Sequence, residues 1–427
     1  MRITAIILAA GKGTRMKSSI PKVLHTISGK EIISYVIDSV LKANIKDIII
    51  VAGSNFNRVK EYIEGRYKNN KIKIIRQKPL LGTGHAVLTV IKSKIRLNPY
   101  ILILNGDVPL IKSSTLNRII NMFTKNICDG IIAVSKVKNP FGYGRIKLNS
   151  NGNIIKIIEE KDSDLKEKKI NIINGGLYLL KKRDLSTNLF KIKKNILKGE
   201  YYLTDLFDIM AKRGRMLKPY LIDESEIKGI NDRYQLTEVE AINNKKILEK
   251  HAENGITIKD FNTVFIEDNI KIGKDTVIEP FTVIKGPAQI GPFCNIGPFT
   301  HIRPETIIGK NCKIGNYVEI KKSKIGDNVH IAHLSYIGDA TIGNGTNIGA
   351  GTITANFDGR KKNKTFIGKN VYVGSNVVFV APVKIGDNAV IGAGSVITED
   401  VPANSLAIAR QRQINKKNWV LKRRNKK

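Results

Sequence analysis

Apolar residues recur at every sixth position over much of the second half of the chain. One register holds Ile290, Ile296, Ile302, Ile308, Ile314 and Ile320, and a second holds Ile367, Val373, Phe379, Ile385, Ile391 and Ile397. This period fits neither an α-helix, with about 3.6 residues per turn, nor a β-strand, whose faces alternate. It is typical of a parallel β-helix, in which one residue per short flat face points inward and stacks on its equivalent in the next coil. The pattern predicts an all-β solenoid of hexapeptide repeats over residues 255–427.

The repeat register is interrupted at two places. One residue is missing between Ile320 and Ile325, and the segment Thr354–Thr365 intervenes between Ile348 and Ile367. Insertions in a solenoid project from one face, often the binding face. This one is basic, which suits a phosphate-bearing ligand such as coenzyme A, although a solvated charged loop is the alternative.

The first half of the chain has a different pattern. Thr4–Leu8, Asp47–Val51 and Tyr100–Leu104 are continuous apolar runs separated by helical stretches. Such runs are typical of buried parallel strands, so residues 1–231 are predicted to form a Rossmann-like α/β domain. Residues 232–254 form an amphipathic helical pattern that ends at a glycine, either a strut between the domains or the terminal helix of the first.

Two features at the ends of these strands suggest phosphate chemistry. Gly11 and Gly13 follow the first strand beside Arg15 and Lys22, and glycines let backbone N–H groups approach a phosphate closely. The spacing is neither that of the Walker loop nor that of the dinucleotide loop. Asp107 follows the third strand, at the sheet edge where ligands bind, and could hold Mg²⁺ against phosphates. A turn or helix-capping aspartate is the alternative.

Composition sets the wider limits. The 427 residues are 42% hydrophobic and 26% charged, as in a soluble protein of about two or three units. Taken alone, the net charge of +35 favours binding to a polyanion such as nucleic acid. However, lysine is spread evenly among abundant Ile and Asn, which indicates AT-rich codon usage, so no nucleic-acid partner is expected. An odd number of cysteines without metal-ligand spacing fits a cytoplasmic protein, and no segment is long enough to predict a membrane span.

One histidine stands out beside the insertion. An imidazole exchanges a proton near neutral pH and is suited to deprotonate an amine that attacks a thioester. A lone histidine in a repeat protein is more often structural. The position of His333 near Tyr336 and the inserted loop favours the role of a general base.

The chain resembles a known family along essentially its whole length. The motifs LAAGKGTRM, PKVLH, QKPLLGTGHA, NGDVPL, GYGRI, EEKD, INGG and GIND are similar to those of sugar-1-phosphate nucleotidyltransferases. Together with the hexapeptide solenoid, they resemble the bifunctional enzymes that make UDP-N-acetylglucosamine, a precursor of cell-wall polysaccharide. In that family a uridylyltransferase domain is fused to a left-handed β-helix acetyltransferase domain, and the chains form homotrimers.

The resemblance implies roles in the first domain. Arg15 and Lys22 would act on the phosphates of UTP, and Asp107 with Asn231 would hold Mg²⁺. Gln77, Gly82 and Thr83 would contact the uracil. Asn105 stands where the family often has a tyrosine. The implied nucleotide and nucleotide-sugar site comprises Leu8, Ala9, Ala10, Gly11, Lys22, Gln77, Gly82, Thr83, Asn105, Gly106, Asp107, Gly144, Glu159, Asn174 and Asn231.

The family resemblance also implies roles in the second domain, where His333 would be the general base. The phosphorylated acceptor sugar, glucosamine-1-phosphate, would be bound by Arg303, Lys321, Tyr336, Asn347 and Lys362. Acetyl-coenzyme A would be bound by Ala350, Asn356, Phe357, Ser375, Ala393 and Arg410. Phe357 replaces the family's usual tyrosine, which removes one hydrogen bond worth about 0.5–1.5 kcal/mol.

Two other functions remain open from the sequence. The chain could be a sugar-1-phosphate nucleotidyltransferase with one activity and a regulatory solenoid, but the joint presence of His333, Arg303, Lys321 and Asn347 argues against it. It could also be a non-catalytic assembly protein that reuses both folds. The intact glycine loop and Asp107 argue against that.

Overall fold

The computed structural model describes residues 1–195 and 199–424. The chain divides into two compact units, Met1–Asn243 and Asn244–Lys427. The boundary falls inside a long helix, where the Asn243 amide donates to the Ser28 hydroxyl at 2.9 Å and the Asn244 amide donates to the Val264 carbonyl at 2.9 Å. The domain limits 1–231, 232–254 and 255–427 stay a prediction. Residues 416–427 of the sequence are a basic C-terminal tail, and the last three of them, 425–427, lie outside the described residues.

The described residues of the first unit form eleven strands. In chain order they are β1 (Ile3–Ala9), β2 (Thr26–Ile27), β3 (Lys30–Glu31), β4 (Asp47–Ala52), β5 (Ile72–Arg76), β6 (Tyr100–Asn105), β7 (Gly130–Lys136), β8 (Arg145–Leu148), β9 (Ile154–Ile158), β10 (Ile172–Lys181) and β11 (Leu217–Leu221). The main sheet has the order β11-β7-β10-β6-β1-β4-β5, with β8 paired to β10 and β9 paired to β8, while β2 and β3 form a separate pair. Strand β10 runs antiparallel to both of its neighbours β6 and β7, so the sheet is mixed.

Helices cover both faces of this sheet. They are α1 (Ile32–Lys42), α2 (Phe56–Arg66), α3 (Thr83–Lys92), α4 (Ser113–Lys125), α5 (Lys182–Leu189), α6 (Asp205–Lys212) and α7 (Arg233–Glu253), which crosses the unit boundary. Short 3₁₀ turns lie at Thr14–Met16, Lys22–Leu24, Glu160–Asp162, Glu167–Lys169 and Glu224–Ile227. Alternate residues of each central strand pack into different cores: Ile48 and Ile50 into one, Ile49 and Val51 into the other. The apolar runs are continuous because both faces are buried.

The second unit is a stack of short parallel strands. Its strands are β12 (Thr257–Ile258), β13 (Phe265–Ile266), β14 (Ile270–Ile272), β15 (Val277–Ile278), β16 (Val283–Ile284), β17 (Ala288–Ile290), β18 (Asn295–Ile296), β19 (His301–Ile302), β20 (Thr306–Ile308), β21 (Lys313–Asn316), β22 (Glu319–Lys321), β23 (Lys324–Ile325), β24 (His330–His333), β25 (Tyr336–Gly338), β26 (Ala340–Ile342), β27 (Asn347–Ile348), β28 (Ile353–Ala355), β29 (Thr365–Ile367), β30 (Tyr372–Val373), β31 (Val378–Val380), β32 (Val383–Ile385), β33 (Val390–Ile391), β34 (Val396–Ile397) and β35 (Leu406–Ala407). A final helix, α8 (Trp419–Arg424), is exposed.

Every third strand pairs, so three parallel sheets run along the stack. The residues of the six-residue register, such as Ile302, Ile314 and Ile320, are fully buried in its interior. This is the arrangement of a left-handed parallel β-helix, and the fold class predicted from the sequence is confirmed. Among the residues that the structure describes, no helix has the length and apolar character needed to span a membrane.

The coil length changes where the sequence register changes. Glu319 pairs with Tyr336, seventeen residues later, because one residue is missing after Ile320. A second short coil, which the sequence analysis overlooked, makes His330 pair with Asn347, again seventeen residues later. Across the insertion, Ala340 pairs with Thr365. The extra residues leave the stack as a loop that is closed by a bridge between Phe357 and Lys362.

Candidate active sites

The first site is a pocket at the carboxyl ends of β1, β4, β5 and β6. Twelve of the residues implied by the family resemblance line it, namely Leu8, Ala9, Ala10, Gly11, Arg15, Lys22, Gln77, Gly82, Thr83, Asn105, Asp107 and Asn231. Gly106 is not in the lining but packs against it. Its backbone N–H donates to the Leu8 carbonyl at 2.8 Å, and a β-carbon on Gly106 would lie 3.0 Å from that oxygen. Parallel strands end together at this edge, so residues far apart in sequence converge there.

A cluster of one lysine and two oxygen-bearing side chains lines this pocket. The Lys22 ammonium contacts a carboxylate oxygen of Asp107 and lies 3.3 Å from the amide oxygen of Asn231. Both side chains of the ion pair are largely buried. The two oxygens therefore converge on one point that already holds a positive charge.

These oxygens fit the requirements of Mg²⁺. That ion usually takes one or two protein oxygens and completes its shell with phosphates and water. Asp107 and Asn231 supply such a pair, since one cationic group touches both. Among the described residues there is no cluster of three or more His, Cys, Asp or Glu side chains that could hold a metal without a substrate.

Three implied sugar-site residues lie outside the pocket lining: Gly144, Glu159 and Asn174. Two of them are adjacent, because the Asn174 backbone N–H donates to the Gly144 carbonyl at 2.8 Å. Glu159 accepts a hydrogen bond from the Thr204 hydroxyl at 2.8 Å. They form a second group on β8–β10, and the structure does not bring them into contact with Lys22.

Sequence reasoning missed an ion pair that holds the loop before Gly144. Arg145 is buried, and one of its guanidinium nitrogens lies 2.6 Å from a Glu160 carboxylate oxygen. The same oxygen accepts the Gly142 backbone N–H at 3.0 Å. Hydrogen bonds from Arg145 and Gly142 keep the pKa of Glu160 below its usual value, in spite of desolvation. Both residues lie in motifs of the family resemblance, Arg145 in GYGRI and Glu160 in EEKD, but the sequence does not show that they pair, because the two motifs lie on different segments.

Gly53 also lines the first pocket and was not predicted. A β-carbon there would lie 2.2 Å from the Ala10 carbonyl oxygen, so only glycine lets β4 and the loop after β1 approach this closely. Its place directly after the apolar run of β4 is a signal that the sequence did contain.

The second site is built on the solenoid around His333. The Asn316 amide oxygen lies 2.7 Å from Nδ1 of His333. An amide oxygen only accepts, so Nδ1 carries the proton and Nε2 is left as the basic nitrogen. The two residues pair in register seventeen positions apart. The short coil therefore places Asn316 beside the histidine, a contact that the sequence analysis missed.

The implied sugar-phosphate residues fall on two sheets. Arg303 and Lys321 lie on neighbouring coils of one sheet, which also carries Tyr336, and Asn347 lies on the sheet of His333. The ammonium of Lys321 lies 3.8 Å from the Asp339 carboxylate. The neighbouring Lys321 ammonium lowers the pKa of Lys362. Lys321 and Lys362 therefore lie near each other, and Asn347 lies on the neighbouring sheet that carries His333.

The inserted loop is held together by hydrogen bonds to the side chain of Asp358. The Asp358 carboxylate accepts backbone N–H groups of Arg360 and Lys361 at 2.9 and 2.7 Å and the Asn363 amide at 2.9 Å. These hydrogen bonds lower the pKa of Asp358 to about 2. Asn356 anchors the loop by donating to Asp339 at 2.5 Å, and the Phe357 ring is exposed.

The remaining residues implied to bind acetyl-coenzyme A lie along one edge of the stack; they are Ala350, Ser375, Ala393 and Arg410. The Asn376 backbone N–H donates to the Ala350 carbonyl at 2.7 Å, and the Gly394 N–H donates to the Ser375 carbonyl at 2.8 Å. Ala393 lies so close to Gly374 that a β-carbon on that glycine would be 2.5 Å from its backbone nitrogen. Arg410 is exposed beside Gly394.

Comparisons with known proteins agree with both halves of this description. Residues 4–225 match the family model described as Nucleotidyl transferase, and residues 284–382 match one described as GMPPB C-terminal domain. The Bifunctional protein GlmU of Clostridium kluyveri is 44% identical over 456 aligned residues, which cover 99% of each chain. The chain belongs to the GlmU family. Its GlmU relatives from Clostridium botulinum and Caldanaerobacter subterraneus subsp. tengcongensis are 41% and 42% identical, each over at least 98% of both chains.

GlmU membership covers the whole chain, including the solenoid and its inserted loop. It therefore bears on both sites at once, whereas the nucleotidyltransferase match alone covers only the first unit.

Proposed function

We propose that the chain is a bifunctional transferase that makes UDP-N-acetylglucosamine. The solenoid unit acetylates glucosamine-1-phosphate with acetyl-coenzyme A. The first unit then transfers UMP from UTP to N-acetylglucosamine-1-phosphate and releases pyrophosphate. The observation that carries the proposal is that one chain holds both the cluster of Lys22, Asp107 and Asn231 and the pair of His333 and Asn316.

Uridylyl transfer requires positioning and charge neutralisation rather than a nucleophilic side chain. A phosphate oxygen of the sugar attacks the α-phosphorus of UTP in line, and pyrophosphate leaves. Arg15 and Lys22 line the pocket and would carry the positive charge that stabilises the transition state. Bound Mg²⁺, held by Asp107 and Asn231, would add further charge stabilisation. Lys22 would then exchange its contact with Asp107 for the phosphates.

Acetyl transfer requires a base. Nε2 of His333 would take a proton from the amino group of glucosamine-1-phosphate as the nitrogen attacks the thioester carbonyl, and coenzyme A leaves as its thiol. Asn316 holds the ring in the tautomer that leaves Nε2 free. Lys321 and Lys362 would bind the sugar phosphate, and the edge formed by Ala350, Ser375 and Ala393 would bind the coenzyme.

The cellular setting follows from the same proposal. A cytoplasmic enzyme has access to UTP and acetyl-coenzyme A, and its product supplies the synthesis of cell-wall polysaccharide. A homotrimer is proposed from the family resemblance, and sedimentation equilibrium at several protein concentrations tests it.

Two assays on the purified chain separate this function from the alternatives. Thiol release from acetyl-coenzyme A that requires glucosamine-1-phosphate tests the solenoid unit. Pyrophosphate release from UTP that requires N-acetylglucosamine-1-phosphate and Mg²⁺ tests the first unit. Pyrophosphate without thiol would indicate a nucleotidyltransferase with a regulatory solenoid, and neither product would indicate an assembly protein.

A further inference from the structure

Gln77 has a fixed amide orientation in the nucleotide pocket. The residue is buried directly after β5, and its amide nitrogen donates to the Gly82 carbonyl oxygen at 3.0 Å. The same nitrogen lies 3.0 Å from Nδ1 of His85. A carbonyl oxygen can only accept, so the nitrogen of the amide must face Gly82 and His85. Both amide protons are then used inside the protein.

His85 must accept the second of these protons. Its Nδ1 can accept only if the ring is neutral and the proton is on Nε2. Burial lowers the pKa of His85, and the positive charge of Lys92 lowers it further, so the neutral ring is favoured. The ring lies on α3, with its centroid 6.4 Å from that of Tyr201.

The consequence is that the Gln77 oxygen is presented to the ligand. Gln77 lines the pocket, and its amide oxygen accepts no hydrogen bond from residues 1–195 or 199–424. The backbone N–H groups of Gly82 and Thr83, at the start of α3, also donate to none of the described residues. The pocket therefore presents one acceptor with donors beside it.

This pattern is the complement of one pyrimidine edge. Uracil and thymine present a donor at N3 between two carbonyl acceptors, whereas cytosine presents an acceptor at N3 and an amino donor at C4. A pocket acceptor that meets N3–H forms a hydrogen bond, but the same acceptor opposite cytosine N3 leaves two acceptors facing each other. Buried polar sites reject a ligand that leaves them unpaired.

We propose that His85 determines base specificity by holding Gln77 in the orientation that accepts from the base, so that the pocket selects pyrimidines with an N3–H over cytosine. This inference rests on the proposed uridylyl transfer. His85 acts through Gln77 and is a positioning residue, not a catalytic one.

Two substitutions of His85 separate positioning from mere packing. His85→Leu fills much of the same space but removes the acceptor, so the Gly82 carbonyl alone opposes rotation of the Gln77 amide. His85→Asn places an amide oxygen near the position of Nδ1 and keeps an acceptor. The measurement is kcat/KM for UTP and for CTP, with N-acetylglucosamine-1-phosphate and Mg²⁺, on the full chain.

We expect His85→Leu to lower the ratio of kcat/KM for UTP to kcat/KM for CTP by about tenfold, mainly through a higher KM for UTP. The reason is that the hydrogen bond from uracil N3–H to Gln77 is weakened and cytosine N3 no longer always faces an acceptor. We expect His85→Asn to restore most of the ratio. An unchanged ratio in His85→Leu, with both nucleotides slowed equally, would overturn the proposal.

A measurement on the unmodified protein avoids dependence on variant folding. The imidazole ¹⁵N shifts of His85 report which nitrogen carries the proton, and we expect the Nε2–H tautomer. A proton on Nδ1 would overturn the proposal. If the wild-type chain does not turn over UTP at all, the proposed function fails, while the tautomer measurement still decides the orientation of Gln77.

Discussion

Replacing Asn316 tests how the solenoid site prepares its base. In Asn316→Leu the 2.7 Å hydrogen bond to Nδ1 of His333 is lost, while the side chain keeps a similar size. One such hydrogen bond contributes about 0.5–1.5 kcal/mol. If that energy holds the ring in the reactive tautomer, kcat for acetyl transfer falls by about two- to twelvefold, because about 1.4 kcal/mol corresponds to tenfold in rate.

The assay is thiol release from acetyl-coenzyme A in the presence of glucosamine-1-phosphate. Asn295→Leu is the matched control, because Asn295 is exposed on β18 of the same sheet as His333. We expect the control to retain wild-type kcat. Asn316→Asp keeps an acceptor but adds a negative charge that favours the imidazolium, so the acid limb of the pH–rate profile moves to higher pH. Wild-type kcat in Asn316→Leu, with no change in the pH profile of Asn316→Asp, would refute the assigned role.

Three further predictions concern the first unit. Burial and three nearby carboxylates raise the pKa of Asp205 to about 6, above its unfolded value, so its ionised form destabilises the fold above about pH 6 and the cost disappears below about pH 4. Asp205→Asn should therefore raise the urea midpoint at pH 8 and leave it unchanged at pH 3.5, and an equal change at both would contradict this. Gly82→Ala should abolish UTP binding by calorimetry, because φ is +90° and the β-carbon would lie 2.7 Å from the Tyr201 carbonyl oxygen; unaltered affinity would show that the loop adapts. Glu160→Ala should cost about 3 kcal/mol in urea unfolding, since the buried Arg145 guanidinium loses its ion-pair partner, and a cost under about 0.5 kcal/mol would show that water replaces the carboxylate.

The repeat register is the part of the fold that the sequence predicts best. Each inward position of a β-helix coil has the same environment, so Ile302, Ile308 and Ile314 show the period directly. The first-unit strands are also visible, because a strand buried on both faces is apolar throughout. The boundary between the two compact units could not be predicted, because it lies inside α7: Val239 packs with first-unit residues and Leu248 packs in the solenoid core, and a helical pattern does not show which partner each turn contacts.

The contacts that orient His333 and Gln77 could not be predicted from the sequence for a different reason. Asn316 meets His333 only because the coil between them is one residue short, and a six-residue pattern alone does not show which neighbour that brings into register. His85 contacts Gln77 through one ring nitrogen, a matter of side-chain geometry. The family resemblance supplies the ligand-binding candidates, but the residues that orient them require the structure.

The most direct test of bifunctionality supplies one purified chain with glucosamine-1-phosphate, acetyl-coenzyme A, UTP and Mg²⁺ and detects UDP-N-acetylglucosamine by mass spectrometry. The wild-type chain should form it from these substrates. His333→Ala should form it only when N-acetylglucosamine-1-phosphate replaces glucosamine-1-phosphate, whereas Asp107→Asn should release thiol but form no nucleotide sugar. Loss of both activities in either well-folded variant, or UDP-N-acetylglucosamine made from glucosamine-1-phosphate by His333→Ala, would contradict the account.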